Sequence, residues 1–164
     1  MSFFPGFEQR RITVNDIAFN VRIGGSGSPL LLLHGYPQTH VTWHKVAPEL
    51  ARYFTVICPD LKGYGDSDAP PPTADSGNYS KRVMGAEMLA LMAALEHRRF
   101  AVAGHDRGAR VAYRLALDHR EAVARLAVLD ILPTSEYWDL ADRTFAVNTF
   151  HWVSWRASAA CPSG

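Results

Sequence analysis

Four short, largely apolar segments constrain the fold of this chain more than any other feature of its sequence. They are residues 30–33, 54–58, 100–103 and 126–129, and apolar and polar positions do not alternate within them. A strand with one solvated face alternates, whereas a strand covered on both faces is apolar throughout. The pattern therefore predicts a parallel sheet with helices on both of its faces.

Helical patterns separate these segments, so strands and helices alternate along the chain. Residues 43–52 and 108–119 show helical periodicity, and a longer helical pattern follows Ser80, which is placed to cap its first turn. Segment 69–78 is rich in Pro, Asp and Gly and predicts a surface loop. The order of elements predicts an α/β fold with a mainly parallel sheet.

The stretch ahead of the first apolar segment has a different pattern. Residues 11–14 and 17–23 alternate in period two around Asn15 and Asp16. Asn and Asp tolerate the positive φ angles of a tight turn. This stretch therefore predicts a β-hairpin.

Composition and charge exclude several classes of function. With 164 residues, 48% of them hydrophobic, the chain is long enough for one sizeable core, and a net charge of +1 leaves no basic excess for nucleic acid. No apolar run approaches the roughly 20 residues of a membrane span, and the start lacks the pattern of a secretory signal. Cys58 and Cys161 have no metal or redox spacing. We therefore expect a soluble, cytoplasmic domain with no nucleic-acid, membrane or metal partner.

Residues 102–108, Val-Ala-Gly-His-Asp-Arg-Gly, have the pattern of a nucleophile elbow. An apolar strand runs into a Gly-x-Asp-x-Gly turn that opens a helix, and the two glycines allow the sharp turn that presents the central side chain. With Asp106 at the centre, the nucleophile is a carboxylate, which forms an ester that water must then cleave. Taken alone, the motif also fits an ordinary turn or helix cap.

Two companion segments favour the catalytic interpretation. Residues 33–37, Leu-His-Gly-Tyr-Pro, follow an apolar strand, and the backbone N–H of Tyr36 is placed to form an oxyanion hole with that of Arg107. Residues 60–68, Asp-Leu-Lys-Gly-Tyr-Gly-Asp-Ser-Asp, follow the next strand and predict a loop at the same edge of the sheet.

With these three motifs in this order, the chain resembles the α/β-hydrolase superfamily, in its branch of epoxide hydrolases and haloalkane and haloacetate dehalogenases. The resemblance covers residues 7–152. It implies a hydrolase with an α/β-hydrolase core, a nucleophilic aspartate at Asp106 and neither a metal nor an organic cofactor.

Two arginines indicate which enzymes of this branch the chain resembles most. Epoxide hydrolases and haloalkane dehalogenases usually carry Trp directly after the nucleophile, whereas this chain has Arg107 and then Arg110. Residues three apart share a helix face, so both guanidinium groups can hold a substrate carboxylate beside Asp106. This resembles fluoroacetate dehalogenase and implies a small halocarboxylate substrate. The alternative is that both are ordinary solvated helix arginines.

The resemblance assigns three further residues. Asp130, at the end of the last apolar segment, is implied as the acid that orients a catalytic histidine, although a turn or cap role is the alternative. His151 and Trp152 match a His-Trp pair that donates hydrogen bonds to the departing halide. Without the family, packing is the usual role of such a pair.

The remaining histidines receive supporting roles. His34 and His105 lie inside motifs and are expected to support loops. The others have no partner pattern and are interpreted as surface or cap residues: His40, His44, His97 and His119.

The resemblance also implies that the chain is truncated. Residues 1–134 match the core with about six of roughly eight strands, residues 135–152 match the start of a helical cap, and residues 153–164 lose the family pattern. His151 is the sole histidine after Asp130, so the cap, the last strands and the water-activating histidine are expected to be missing. We therefore expect ester formation without turnover, and an apolar edge strand at 126–129 that invites association. A homodimer is compatible with the intact enzyme, and an epoxide hydrolase or a non-catalytic remnant are the alternatives.

Overall fold

A computed structural model describes residues 3–132 and Glu136, and the account below concerns the unit Met1–Ile131. The predicted cap start, the predicted tail, His151 and Trp152 lie outside the described residues. Within the described part, six strands form one sheet. The strands are β1 (Glu8–Val14), β2 (Ile17–Gly24), β3 (Ser28–Leu33), β4 (Phe54–Pro59), β5 (Phe100–His105) and β6 (Val123–Leu129).

The strand order across the sheet is β1-β2-β4-β3-β5-β6. β3 pairs in parallel with β4 and β5, and β5 pairs in parallel with β6, whereas β2 is antiparallel to both β1 and β4. The predicted hairpin is thus confirmed as β1 and β2, and the mainly parallel sheet as the other four strands. Because β3, β5 and β6 are neighbours, the loops after them meet at one edge.

The leucines of β3 show why the apolar segments do not alternate. Leu31 and Leu33 belong to a core that includes residues of the two long helices, α2 (Lys81–Ala94) and α3 (Arg107–Asp118). Leu30 and Leu32 belong to a second core with Trp43. Successive residues of a strand point to opposite faces, so both faces of this strand are buried.

The predicted helix over residues 43–52 is wrong in extent. The structure has a 3₁₀ turn at His40–Trp43 and a short helix, α1 (Ala47–Leu50), with Pro48 in its first turn. Proline has no N–H to donate to a preceding turn, so it starts a helix rather than continuing one. The predicted loop 69–78 is largely confirmed and ends in a second 3₁₀ turn, Gly77–Tyr79.

Among the described strands, β6 lies at the edge of the sheet beside the predicted site. Its apolar residues Leu126, Val128 and Leu129 are exposed, as predicted. A parallel strand with exposed apolar side chains is a surface for association. No helix in the described part of the chain has the length and apolar character that crossing a membrane requires.

Candidate active site

The chain turns from β5 into α3 at Asp106, whose backbone has φ 48° and ψ −115°. L residues rarely adopt this conformation, and it is characteristic of strained functional positions. The Asp106 side chain makes no capping hydrogen bond to α3. The strained geometry is that of the predicted elbow, and the missing capping bond argues against a helix cap.

Two glycines bring the elbow against its neighbours. A Cβ on Gly108 would lie 2.3 Å from the carbonyl oxygen of His34 and 2.4 Å from that of Leu33. A Cβ on Gly104 would lie 2.5 Å from the carbonyl oxygen of Gly108. Only glycine fits at either position, so the motif spacing is a packing requirement for the close approach of α3 to β3 and β5.

The loop after β3 reaches Asp106 through its backbone. The Tyr36 N–H donates a hydrogen bond of 2.9 Å to Oδ2 of Asp106. A Cβ on Gly35 would lie 2.7 Å from Cβ of Asp106, so glycine allows this approach. The Tyr36 N–H thus contacts the Asp106 carboxylate, and its role as an oxyanion donor stays a prediction. Arg107 is the first residue of α3, directly after Asp106, and its backbone N–H stays the predicted second donor.

His34 supports this loop, as predicted. The ring is buried, and its Nδ1 lies 2.9 Å from the carbonyl oxygen of Gly35. Its Nε2 accepts a 2.9 Å hydrogen bond from the Leu61 N–H. Because Nε2 accepts, the proton is on Nδ1, which donates to Gly35. Burial lowers the pKa of His34, which keeps the ring neutral.

His105 links the same loop to the end of β6. The carboxamide oxygen of Gln38 accepts from the Gly35 N–H at 3.2 Å and from Nδ1 of His105 at 3.1 Å. Nε2 of His105 lies 3.4 Å from Oδ2 of Asp130. The predicted supporting role of His105 is confirmed, and Gln38 is a partner that the sequence analysis missed.

Asp130 follows β6 directly and lies at the same edge of the sheet as Asp106. The Asp106 N–H donates a 3.1 Å hydrogen bond to the carbonyl oxygen of Leu129, which fastens the end of β6 to the elbow. The Asp130 side chain is 85% exposed and contacts His105. Its place suits an acid that orients a further group, and that role stays a prediction.

The two arginines occupy different environments on α3. Arg110 is only 5% exposed, whereas Arg107 is half-buried and its guanidinium carbon lies 4.8 Å from the centre of the Tyr36 ring. The burial of Arg110 contradicts the alternative that both are solvated helix arginines. Carboxylate binding by the pair stays a prediction.

A third cation, Lys81, lies in the electrostatic neighbourhood of the site and was missed by the sequence analysis. It is the first residue of α2 and is half-buried. Burial, with the like charges of Arg107 and Arg110, lowers the pKa of Lys81 to about 8, against the opposing charge of Asp106. The capping pattern at Ser80 predicted the start of α2, but no sequence pattern indicated that Lys81 lies near the site.

The interpretation of His40 as a surface or cap residue is wrong. His40 is buried, and its Nδ1 and backbone N–H each donate a 2.7 Å hydrogen bond to Oδ1 of Asp60. Oδ2 of Asp60 accepts from Asn20 Nδ2 at 2.8 Å and from the Asp66 N–H at 3.1 Å. Burial alone would raise the pKa of Asp60, but these donors lower it to about 2. Asp60 is therefore a buried carboxylate that holds the 60–68 loop to β2 and to the His40–Trp43 turn.

A second buried ionic pair lies in the same loop. The Lys62 ammonium donates to Oε1 of Glu87 on α2 and to the carbonyl oxygen of Asn78. It also lies 5.1 Å from the centre of the Tyr79 ring. Burial raises the pKa of Glu87, although Lys62 opposes that shift. Segment 60–68 thus carries structural charges and connects the sheet to α2.

The fold and the elbow define a class of protein, and comparison with known proteins agrees. The α/β hydrolase fold family matches residues 28–158, and the chain belongs to this family. A crystal structure of a Nostoc sp PCC 7120 protein described as an alpha/beta hydrolase superposes with a TM-score of 0.90 at 51% identity, covering 93% of this chain and 52% of that one.

Two curated relatives carry specific activities. A fluoroacetate dehalogenase of a Burkholderia sp is 46% identical over 97% of this chain and 52% of its own length. A soluble epoxide hydrolase of Corynebacterium sp. (strain C12) is 42% identical over 73% of this chain and 40% of its own length. The chain thus spans about half the length of these relatives.

Proposed function

We propose that this chain carries the nucleophile half of a haloacetate dehalogenase, with Asp106 as the attacking carboxylate. The observation that carries the proposal is the arrangement at the elbow. A strained Asp106 accepts a backbone hydrogen bond from Tyr36, and α3 carries Arg107 and the buried Arg110 directly beyond it. The identity of 46% to a fluoroacetate dehalogenase supports the same substrate class.

The hydrogen bond to Asp106 assigns a role to each carboxylate oxygen. Oδ2 accepts from the Tyr36 N–H, so Oδ1 is the oxygen that attacks the α-carbon of the haloacetate. The new C–O bond forms as the carbon–halogen bond breaks, and the halide leaves with the bonding electron pair. Arg107 and Arg110 hold the substrate carboxylate by charge-assisted hydrogen bonds. The product is a carboxymethyl ester on Asp106.

Ester hydrolysis needs a base that activates water. In the tetrahedral intermediate the negative charge develops on Oδ2, where the Tyr36 N–H already donates. We assign to Asp130, which directly follows β6, the role of orienting a histidine base. His151 is the sole histidine of the sequence after Asp130 and matches the halide-binding position, so we propose that this chain accumulates the ester and does not turn over.

The test is alkylation of the 164-residue chain by chloroacetate, with peptide mass spectrometry to locate the ester. We expect one carboxymethyl group on the peptide that contains Asp106 and release of one equivalent of chloride. Asp106→Asn is the matched control, since it keeps the size of the side chain and removes the nucleophile. Sustained chloride release beyond one equivalent, or labelling that survives Asp106→Asn, would contradict the proposal.

The epoxide hydrolase relative makes epoxide opening the second candidate. The same attack by Oδ1 on an epoxide carbon leaves a hydroxyalkyl ester, so a simple terminal epoxide serves as the parallel reagent. The two arginines favour an anionic substrate over a neutral epoxide. Faster esterification of Asp106 by the epoxide than by chloroacetate would favour the second candidate.

A further inference from the structure

The contact between Tyr36 and Arg107 joins the loop after β3 to the first residue of α3. The guanidinium carbon of Arg107 lies 4.8 Å from the centre of the Tyr36 ring, within the range of a cation–π interaction. The Tyr36 backbone N–H serves a different group, Oδ2 of Asp106. One residue therefore supplies an oxyanion donor through its backbone and a cation contact through its side chain.

The two arginines differ in burial. Arg110 is buried in α3, whereas Arg107 is half-buried. A long arginine side chain loses rotamer entropy when it binds a ligand, and a contact that orients it beforehand reduces this loss. Arg107 also lies close enough to the Lys81 ammonium for the two like charges to repel each other. A ring face that attracts a cation offsets this repulsion and restricts the guanidinium.

The contact with the ring is compatible with carboxylate binding by Arg107. A guanidinium can meet an aromatic ring through its π face, while the N–H donors that match a carboxylate lie in its plane. The ring can therefore orient Arg107 without competing with a bound carboxylate.

We propose that the Tyr36 ring is a positioning group for the Arg107 guanidinium, and that through this contact it sets the preference of the site for carboxylate-bearing over neutral alkylating substrates. This inference rests on the proposed function, because it concerns substrate selection at Asp106. It predicts that loss of the aromatic ring weakens the preference for carboxylate-bearing substrates and that loss of the phenolic hydroxyl alone does not.

The test compares Tyr36→Phe and Tyr36→Leu in the full 164-residue chain. Chloroacetate and chloroacetamide share the reacting carbon and the leaving group, but only chloroacetate carries a carboxylate. We expect Tyr36→Leu to lower the ratio of their second-order alkylation rates at Asp106 by about fivefold, with the loss in apparent affinity for chloroacetate and not in the maximal rate. Tyr36→Phe keeps the ring and should keep the ratio within about twofold of the original chain.

Tyr53 provides a matched control, since it is an exposed tyrosine with Arg52 5.8 Å from its ring centre, in a pair outside the site. Tyr53→Leu should leave the ratio unchanged. An equal loss of both rates in Tyr36→Leu would indicate a structural effect on the loop and would overturn the inference. A Tyr36→Phe variant as selective as Tyr36→Leu would overturn it too, because the hydroxyl would then be responsible.

A spectroscopic measurement separates this inference from the proposed function. Protons of the Arg107 guanidinium above the Tyr36 ring carry an upfield ring-current shift, which Tyr36→Phe should keep and Tyr36→Leu should remove. Acetate titration followed at the same resonance should show about fivefold weaker binding in Tyr36→Leu only. If chloroacetate does not alkylate the original chain, the proposed function fails, but the ring-current shift and the acetate titration still test the role of the Tyr36 ring. Acetate binding that is equal in all variants would overturn the inference.

Discussion

Replacement of Asp60 by Asn tests whether this buried carboxylate holds the site loops in place. Asp60 is fully buried and accepts four hydrogen bonds, two on each oxygen. Asn keeps one acceptor oxygen and turns an NH₂ group toward two donors. Hydrogen bonds to a buried charged group contribute about 1.5–3 kcal/mol each, so we expect Asp60→Asn to lower the free energy of unfolding by about 4 kcal/mol at pH 7.

The pH dependence of this difference is a sharper test than its size. The pKa of Asp60 is about 2 in the folded chain, against an ordinary value of 3.8. Ionisation of Asp60 therefore contributes about 2 kcal/mol above pH 5, and the contribution is lost as the pH falls below about 4 and through 2. Asp60→Asn lacks this titration, so its difference from the original chain should shrink by about 1 kcal/mol between pH 7 and pH 3.

Urea unfolding at both pH values, followed by circular dichroism, measures these differences. Asp66→Asn is the matched control, because the Asp66 side chain is exposed and the same substitution there should change stability by less than about 0.5 kcal/mol. The reasoning is refuted if Asp60→Asn costs under about 1 kcal/mol at pH 7, or if its cost grows toward pH 3.

Three further predictions concern strain, the buried ion pair and the sheet edge. Asp106→Gly should have a free energy of unfolding about 1 kcal/mol higher than that of Asp106→Ala in urea unfolding, because glycine relieves the strained backbone and alanine does not. Equal stabilities of the two variants would contradict strain at the elbow. Lys62→Met and Glu87→Leu should each cost about 3 kcal/mol in urea unfolding, whereas the double variant should cost less than either, since no buried charge is left unpaired; additive losses would exclude a coupled pair. Val128→Lys on β6 should reduce concentration-dependent association in sedimentation velocity, and unchanged association would place the contact elsewhere.

The sequence was sufficient to predict the parts of the fold that depend on local pattern. The strand around 30–33 was evident because both of its faces are buried, which removes alternation. In the strand around 100–103 one face is buried, and the other is covered only in part, but its residues Ala101 and Ala103 are apolar as well. The elbow was evident because a side chain on Gly108 would collide with the backbone of Leu33 and His34, and one on Gly104 with the backbone of Gly108. Packing requirements of this kind demand particular residue types at a constant spacing along the chain, so the sequence alone indicates them.

The features that escaped prediction depend on contacts between distant segments. His40 and Asp60 carry no pattern that distinguishes a buried pair from two surface residues, and Lys62 and Glu87 are likewise polar residues whose burial is decided by α2. The proximity of Lys81 to the arginines depends on how α2 packs against α3. Tertiary packing decides which charged residues are desolvated, and that information is absent from local periodicity.

The place of β5 in the sheet has a consequence for how the chain assembles during synthesis. The β1–β2 hairpin and its pairing with β4 involve earlier parts of the chain, whereas Leu33 must wait for Gly104 before β3 and β5 can align. A chain emerges from the ribosome amino end first, and pairings between distant segments carry the larger loop-closure cost. The hydrogen bond from Tyr36 to Asp106 therefore joins two segments that are synthesised far apart in time. The proposed nucleophile gains this backbone donor only after the chain has been synthesised past β5.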